Sequence, residues 1–344
     1  MNQHLSDRFR AFAESECKDS SPLYYTLSHS IAQDDAILEI AGQSAPSQPV
    51  PNLFFAAVHY LLSSAISHPL RSFYPTYTAT PAPPSDSYPA FQDFIHSHRP
   101  EIISLLKSRL VQTNEVRRCA YLFPALSFAA SHFETRPLAL IEIGTSAGLN
   151  LLWDRYRYSY GDSMVYGDAS SPVLVTSSFR GHAPAILSAP LPTISHRVGL
   201  DLNIIDTSDP DQVDWLRALV WPEHHERRSL MDASLRRRSE MNLDLSVGDG
   251  FSMFVDLAEE ISQDSVLCVY HTHVANQISK ESKETFLKSI EKLGAKRDII
   301  HVFNNIKPNL HLTAYHTGKL IDMPLANTDG HARWIEWLRK NENS

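Results

Sequence analysis

Two periodicities divide the chain near residue 136. Before it, apolar positions recur at helical spacing; after it, short apolar runs alternate with amphipathic stretches. In residues 4–17 (HLSDRFRAFAESEC), Leu5, Phe9 and Phe12 share one helical face. Ser20 and Ser21 ahead of Pro22 form a capping signal, and one helix is expected through Tyr24, Leu27, Ile31 and Leu38 to about Gly42. AGQSAPSQPVP reads as a turn-rich linker. NLFFAAVHYLLSSAI reads as a buried helix opening at the cap candidate Asn52, and the proline-studded residues 72–90 as an extended connection. From Glu101 to His132 the pattern is helical again. Pro124 is expected to kink or end that stretch, because it removes a backbone donor. Within it, QTNEVRRCAY would place Asn114, Arg117 or Arg118, and Tyr121 on one face.

From residue 136 the reading changes. Leu138–Ile143 is an apolar run broken only by Glu142, which fits a buried parallel strand; GTSAG is a tight turn, and LNLLWDRY is expected to open a helix. SHRVGLDLN is a second strand with Asp201 at its carboxyl edge. A helix capped at Ser208-Asp209-Pro210 follows, then an arginine-rich helix over 223–241 whose charges read as a solvated, acid-paired face. NLDLSVGDG is a strand ending in an acidic turn at Asp249, followed by a helix over 251–262. SVLCVYHTH is a buried strand ending in His271 and His273, residues 280–293 an amphipathic helix, and RDIIHVFNN a further strand. NLHLTAYHTGKLIDMPL predicts a hairpin turning at His316-Thr317-Gly318. The fold expected is therefore α/β, a Rossmann-like sheet (136–344) with an all-helical N-terminal region (1–135).

Composition sharpens this division and removes several classes. Of 12 glycines in 344 residues only Gly42 precedes Gly144, whereas 13 of 21 prolines lie at or before Pro137. Hydrophobic residues at 43% suffice for a core, and a net charge of −8 offers no sequence-wide basic field for nucleic acid or an anionic membrane. Cys17, Cys119 and Cys268 form no CxxC pair, arguing for a reducing cytoplasm. No signal-peptide pattern opens the chain, and no apolar stretch approaches the ~20 residues of a membrane span.

GTSAG fits two chemistries. As G-x-S-x-G after a strand it is a nucleophile elbow with Ser146 attacking, which would make a serine hydrolase. As a glycine turn behind Glu142-Ile143-Gly144, it resembles the first motif (E/D-x-G-x-G-x-G) of class I S-adenosylmethionine-dependent methyltransferases, with Ser146 at the middle glycine position. VGLDL resembles the second strand of those enzymes, which gives Asp201 the ribose hydroxyls. VGDG resembles the turn beside the adenine, which gives Asp249 that place, and the closing hairpin resembles their antiparallel last strand. A glycine-rich oxyanion loop ahead of the serine is absent, since no glycine lies between Gly42 and Gly144; histidines do follow it, at 271, 273 and 331. Asp201 lies 53 residues past Gly148, against about 20 in the usual nucleotide-binding spacing. An insertion at about 156–195 accounts for the excess, as a lid over the pocket or a scaffold; Asp162 and Asp168 are the alternative ribose acids. His271-Thr272-His273 would alternate on a strand, both imidazoles facing one side. Without a third nearby ligand the motif assigns no metal, and His271 would stand beside the transferred methyl. Asp154, Arg155 and Tyr156 read as helix surface and end.

Taken in order, SPLYYTLSHSIAQD, NLFFAAVHYLL, QTNEVRRCAYLFPAL, IEIGTSAGLNLLWDRYRYSYG, VGLDLNIIDTSDPDQVDWLRALVWPEHHER and GHARWIEWL resemble the bacterial family called domain of unknown function 2332 over nearly the full length. The resemblance implies that both halves belong to one unit and supports a Rossmann-like second half. It directs attention to Gln112, Asn114, Glu115 and Arg118, to Asn150, Trp153, Asp154 and Arg155, and to His271-Thr272-His273-Val274; it supplies no substrate. The expectation is methyl transfer from S-adenosylmethionine to a small molecule. Glu142, Gly144, Ser146, Gly148, Asp201 and Asp249 would line the cofactor, His271 would be catalytic, and Asn114, Glu115 and Arg118 would close the substrate side. The alternatives are a hydrolase built on Ser146 and a non-catalytic Rossmann-like protein that binds a nucleotide or a partner.

Overall fold

A computed structural model describes residues 3–64 and 67–339. Ala65 and Ile66, the end of the expected helix NLFFAAVHYLLSSAI, and residues 340–344 of the expected second region lie outside the described residues. The chain divides into two compact units, one of residues 1–113 with 208–229, the other of residues 114–207 with 230–344. The break expected near 135 thus falls at 113, and a segment from the second half belongs to the first unit. Among the described residues no helix is long and apolar enough to cross a membrane.

The first unit is helical. The single helix expected up to Gly42 is two, Pro22–Ile31 and Asp35–Ala41, because Asp34 accepts from the N–H groups of Ala36 and Ile37 and starts a new helix. Ser21 caps the first of these, as expected, whereas the Val50–Ser63 helix opens after Pro49 rather than at Asn52. Its core is aromatic: Tyr24 stacks on Phe55 at 4.1 Å, and Phe12 and Tyr24 both meet Trp221 edge-on. Residues 208–229 join this unit for three physical reasons. Trp215 and Leu219 are buried in the same cluster, Trp221 completes the aromatic core, and Glu223 accepts from Ser21 Oγ at 2.6 Å and Leu23 N at 3.0 Å.

The second unit is built on strands β1 (Leu138–Ile143), β2 (Arg157–Ser159), β3 (Tyr166–Gly167), β4 (Leu174–Thr176), β5 (Ile194–Asp201), β6 (Asp244–Val247), β7 (Val266–His271), β8 (Ile299–Phe303), β9 (Leu310–His316), β10 (Lys319–Thr328) and β11 (Ile335–Trp337). Among the described residues an eight-stranded sheet runs β6-β5-β1-β7-β8-β9-β10-β11. The first five strands in that order are parallel and the rest antiparallel; chain order runs outward through β5 and β6 on one side of β1 and through β7 and β8 on the other, so the strand order switches between β1 and β7. The expected hairpin forms between β9 and β10, but β11 extends it to three antiparallel strands in place of one last strand.

The insertion carries a small sheet, β3-β2-β4, and packs three of its tyrosines into the second unit. Tyr156, Tyr158 and Tyr160 are buried, with hydroxyls donating to the carbonyls of Leu149, Trp153 and Ala120. The third of these bonds explains a correction. The helix Cys119–Ala130 neither ends nor breaks at Pro124. Proline cannot donate to the carbonyl four residues back, which is that of Ala120, and Tyr160 Oη supplies the missing donor at 2.7 Å. The helix is apolar all round because it is buried in the second unit, which is why the boundary precedes it.

Tyr160→Phe strips that carbonyl of its donor and is expected to cost about 1–3 kcal/mol, the usual penalty for a buried unpaired group. In a Pro124→Ala background the backbone N–H can reach Ala120 O, so the same substitution should cost measurably less. Urea denaturation of the two single variants and the double variant checks the cycle, and strict additivity would contradict it.

Candidate functional site

Residues 144–155 leave the carboxyl end of β1 as a tight loop. Gly144 and Gly148 take φ of +81° and +78°, and Ser146, the one side-chain-bearing residue among the three, is also left-handed at +54°. A Cβ on Gly144 would sit 2.9 Å from Val274 Cβ, and one on Gly148 would sit 2.8 Å from Leu243 Cδ1, so protein side chains close in on both glycines. The expected helix after the loop is instead a kinked run of 3-10 turns, Leu149–Arg155. Its carbonyls are taken by side chains: Tyr156 reaches Leu149, Arg197 reaches Leu151, Tyr158 reaches Trp153 and Tyr270 reaches Asn150. Asp154, read from the sequence as helix surface, is buried and forms a two-pronged ion pair with Arg197 at 2.6 Å per bond.

Around this loop the structure gathers most of the expected site. Ser146 N donates to Asp201 Oδ2 at 2.8 Å, and Asn203 N donates to Asp201 Oδ1 at 3.2 Å, which fixes the carboxylate at the carboxyl end of β5 against the loop. Leu149 N donates to Asn114 Oδ1 at 3.1 Å. Glu142 is buried at the end of β1, accepts from Thr145 Oγ1 at 2.7 Å and is bonded by Asn150. Burial, reinforced by the charge of Asp201, pushes its carboxyl up to about 8. Ser146 Oγ is buried with no hydrogen-bond partner among the described residues. Asp249 caps the helix Gly250–Glu260, accepting from Phe251 N and Ser252 Oγ, which is a structural account of its place. Asp162 and Asp168 hold turns of the insertion through Met164, Tyr166 and Ser170.

Two expectations are corrected here. Asn114, Arg117 or Arg118, and Tyr121 do not share one helical face, because the segment is irregular up to the short 3-10 turn Val116–Arg118; Asn114, Glu115 and Arg118 belong to the second unit itself. His271 and His273 do not face one side. The strand ends at His271, whose ring is fully buried against Phe251, Phe286 and Phe303 with Nε2 3.2 Å from His301 Nε2; burial lowers its pKa to about 3. His273, at φ +62°, turns the other way into a cluster with Arg118, His331 and Asp329. There Arg118 Nε donates to Gly330 O at 3.3 Å with Nη1 3.5 Å from Thr272 Oγ1, and His331 Nδ1 lies 3.3 Å from Glu115 Oε2. Sequence reading noted His331 only as a histidine following the serine; no spacing signal ties it to Glu115, 216 residues away.

The chain is thus a mixed α/β protein with a glycine loop and acidic strand ends at the point where its sheet reverses. Residues 6–337 match the model of a family described as an uncharacterized protein conserved in bacteria (DUF2332), and the chain belongs to that family. No curated protein and no solved structure matches it.

Glu142 gives a pH test. Its folded pKa of about 8 exceeds the ordinary 4.5, so between these values the folded state keeps a proton that the unfolded chain has released. The stability the neutral carboxyl contributes is complete below about 4.5 and is lost as pH rises through about 8. Glu142→Gln should therefore gain on the parent chain in urea midpoint between about pH 5 and pH 8.5. A midpoint difference that does not change with pH would contradict the assignment.

Proposed function

We propose that the second unit is a Rossmann-like, class I methyltransferase-type domain that binds S-adenosylmethionine and transfers its methyl group to a small molecule in the cytoplasm. The observation that carries this reading is the hydrogen bond from Ser146 N to Asp201, which ties the glycine loop to an acidic strand end. The two meet at the carboxyl ends of β1 and β5, next to the reversal of strand order, where open α/β sheets usually form the ligand crevice. Three buried unpaired cysteines suit a reducing compartment.

The chemistry of the crevice favours an adenosyl group over a phosphorylated nucleotide. Phosphate recognition needs free backbone N–H groups or an α-helix N-terminus. Here the N–H groups of Gly144, Thr145, Ser146, Gly148 and Leu149 are all bonded within the protein, and no α-helix follows. The side chains at hand, Glu142 and Asp201, are acids. Asp201 would accept from ribose hydroxyls. Leu202 and Val247 flank the strand ends of β5 and β6 with 73% and 67% of their surface exposed and would take the base. The buried, unbonded Ser146 Oγ and Gly144 and Gly148 would lie along the amino-acid portion, with Asp249 at the rim. When bound, the cofactor supplies an activated methyl on a sulfonium; the protein's contribution is alignment of donor and acceptor.

Calorimetry with S-adenosylhomocysteine and S-adenosylmethionine tests this. Binding is expected, weakened at least about tenfold (~1.4 kcal/mol) by Asp201→Asn. No heat from either compound at millimolar concentration overturns the reading. Fluorophosphonate labelling of Ser146 would support the hydrolase instead. Binding without transfer to any component of a small-molecule extract would leave a non-catalytic binder.

A further inference from the structure

The segment Asn114–Arg118 touches two places at once. Asn114 holds the backbone just past the glycine loop through Leu149 N, and the next residue, Glu115, holds His331. The Glu115 side chain is 4% exposed, whereas that of His331 is 50% exposed. A buried carboxylate that accepts from Nδ1–H fixes one imidazole tautomer and leaves Nε2 as a lone-pair acceptor facing outward. Glu115 is itself oriented, with its other oxygen accepting from Arg117 N at 3.2 Å. Arg118, bonded to the carbonyl of Gly330, and Asp329 gather with His331 around His273. Asp329 is occupied by Arg333, whose N and Nε donate to it at 2.6 and 2.5 Å, so it does not compete for the imidazole.

We infer that His331 is the proton acceptor of the site and Glu115 its positioning residue, serving an acceptor whose oxygen or nitrogen nucleophile still carries its proton at neutral pH. This rests on the methyl-transfer reading. In the step, His331 Nε2 takes the proton from the nucleophile as that atom bonds to the methyl carbon. The carbon–sulfur electron pair stays on sulfur, so the products are the methylated acceptor, S-adenosylhomocysteine and an imidazolium that returns its proton to solvent. Proton removal of this kind is typically worth 10²–10⁴-fold in rate.

Two readouts on the full chain need no substrate. With histidine labelled in ¹⁵N, long-range proton–nitrogen correlation at pH 8, assigned by loss of the signal in His331→Gln, should give the Nδ1-protonated tautomer for His331. Diethyl pyrocarbonate, followed by peptide mass spectrometry, should modify His331 several-fold faster than the exposed His96, and Glu115→Gln should remove most of that advantage. An Nε2-protonated tautomer, or a rate no greater than that of His96, overturns the assignment without touching the cofactor reading. Conversely, a reactive, Nδ1-protonated His331 in a chain that binds neither S-adenosyl compound leaves the dyad standing and overturns the cofactor. Where binding and transfer are both seen, His331→Gln should cut transfer at least 100-fold with S-adenosylhomocysteine affinity unchanged; equal transfer by the variant overturns the proposal.

Discussion

Everything at the carboxyl end of the sheet depends on one constraint: a stretch of buried backbone that is not an α-helix must find partners for its polar groups elsewhere. Residues 144–155 cannot satisfy themselves by a regular ladder, so other elements supply the missing donors and acceptors. Asp201 and Asn114 accept N–H groups; Tyr156, Tyr158, Arg197 and Tyr270 donate to carbonyls. These groups come from a neighbouring strand, from the segment ahead of the Cys119–Ala130 helix, from the insertion and from the far side of β1. The loop conformation is thus overdetermined from four directions, which is how left-handed Ser146 persists at a position where glycine would cost less.

The same constraint explains why the insertion is where it is. Its tyrosines are long, flat and buried, and each ends in one hydroxyl that reaches a backbone carbonyl of a neighbouring segment. Two serve the irregular run after the loop, and the third serves the carbonyl orphaned by Pro124. The 52 residues between Gly148 and Asp201 therefore hold the first βα connection in an unusual shape, and the distance in sequence does not separate Asp201 from the loop.

Much of this architecture was legible in the chain because periodicity reports burial. Strands β1 and β5 to β10 along the chain, the hairpin at Thr317-Gly318, the cap at Ser21 and the change of pattern near 136 all follow from apolar spacing and turn chemistry, whereas β2, β3, β4 and β11 do not. What was not legible depended on partners distant in sequence. No local pattern says that Tyr160 will rescue Pro124, that Arg197 will pair with Asp154, or that Trp215 and Glu223 will complete a core begun at Phe9. The histidines show the same limit. An H-x-H spacing implies a shared face only if the strand continues, and β7 stops at His271, which sends His273 to the opposite task.

Burial at this end of the sheet sets charge as well as shape. His271 and His301 are both held neutral by desolvation, the first with its pKa lowered to about 3, while Glu142 is held neutral with its pKa raised to about 8. Their proton balances act in opposite directions. Below the ordinary histidine value of 6.5 the unfolded chain binds the protons that the two buried imidazoles refuse, so stability falls as pH drops, for His271 towards its folded value of about 3. Above 4.5 the unfolded chain releases the proton that Glu142 keeps, so stability falls as pH rises towards about 8. Between 4.5 and 6.5 two imidazoles oppose one carboxyl, and the net slope still favours higher pH; above 6.5 only the carboxyl's contribution remains and the slope reverses. For these three groups the optimum therefore falls near 6.5. There both imidazoles and the carboxyl are neutral in the folded chain, the state in which the Thr145–Glu142 and His301–His271 hydrogen bonds can both form.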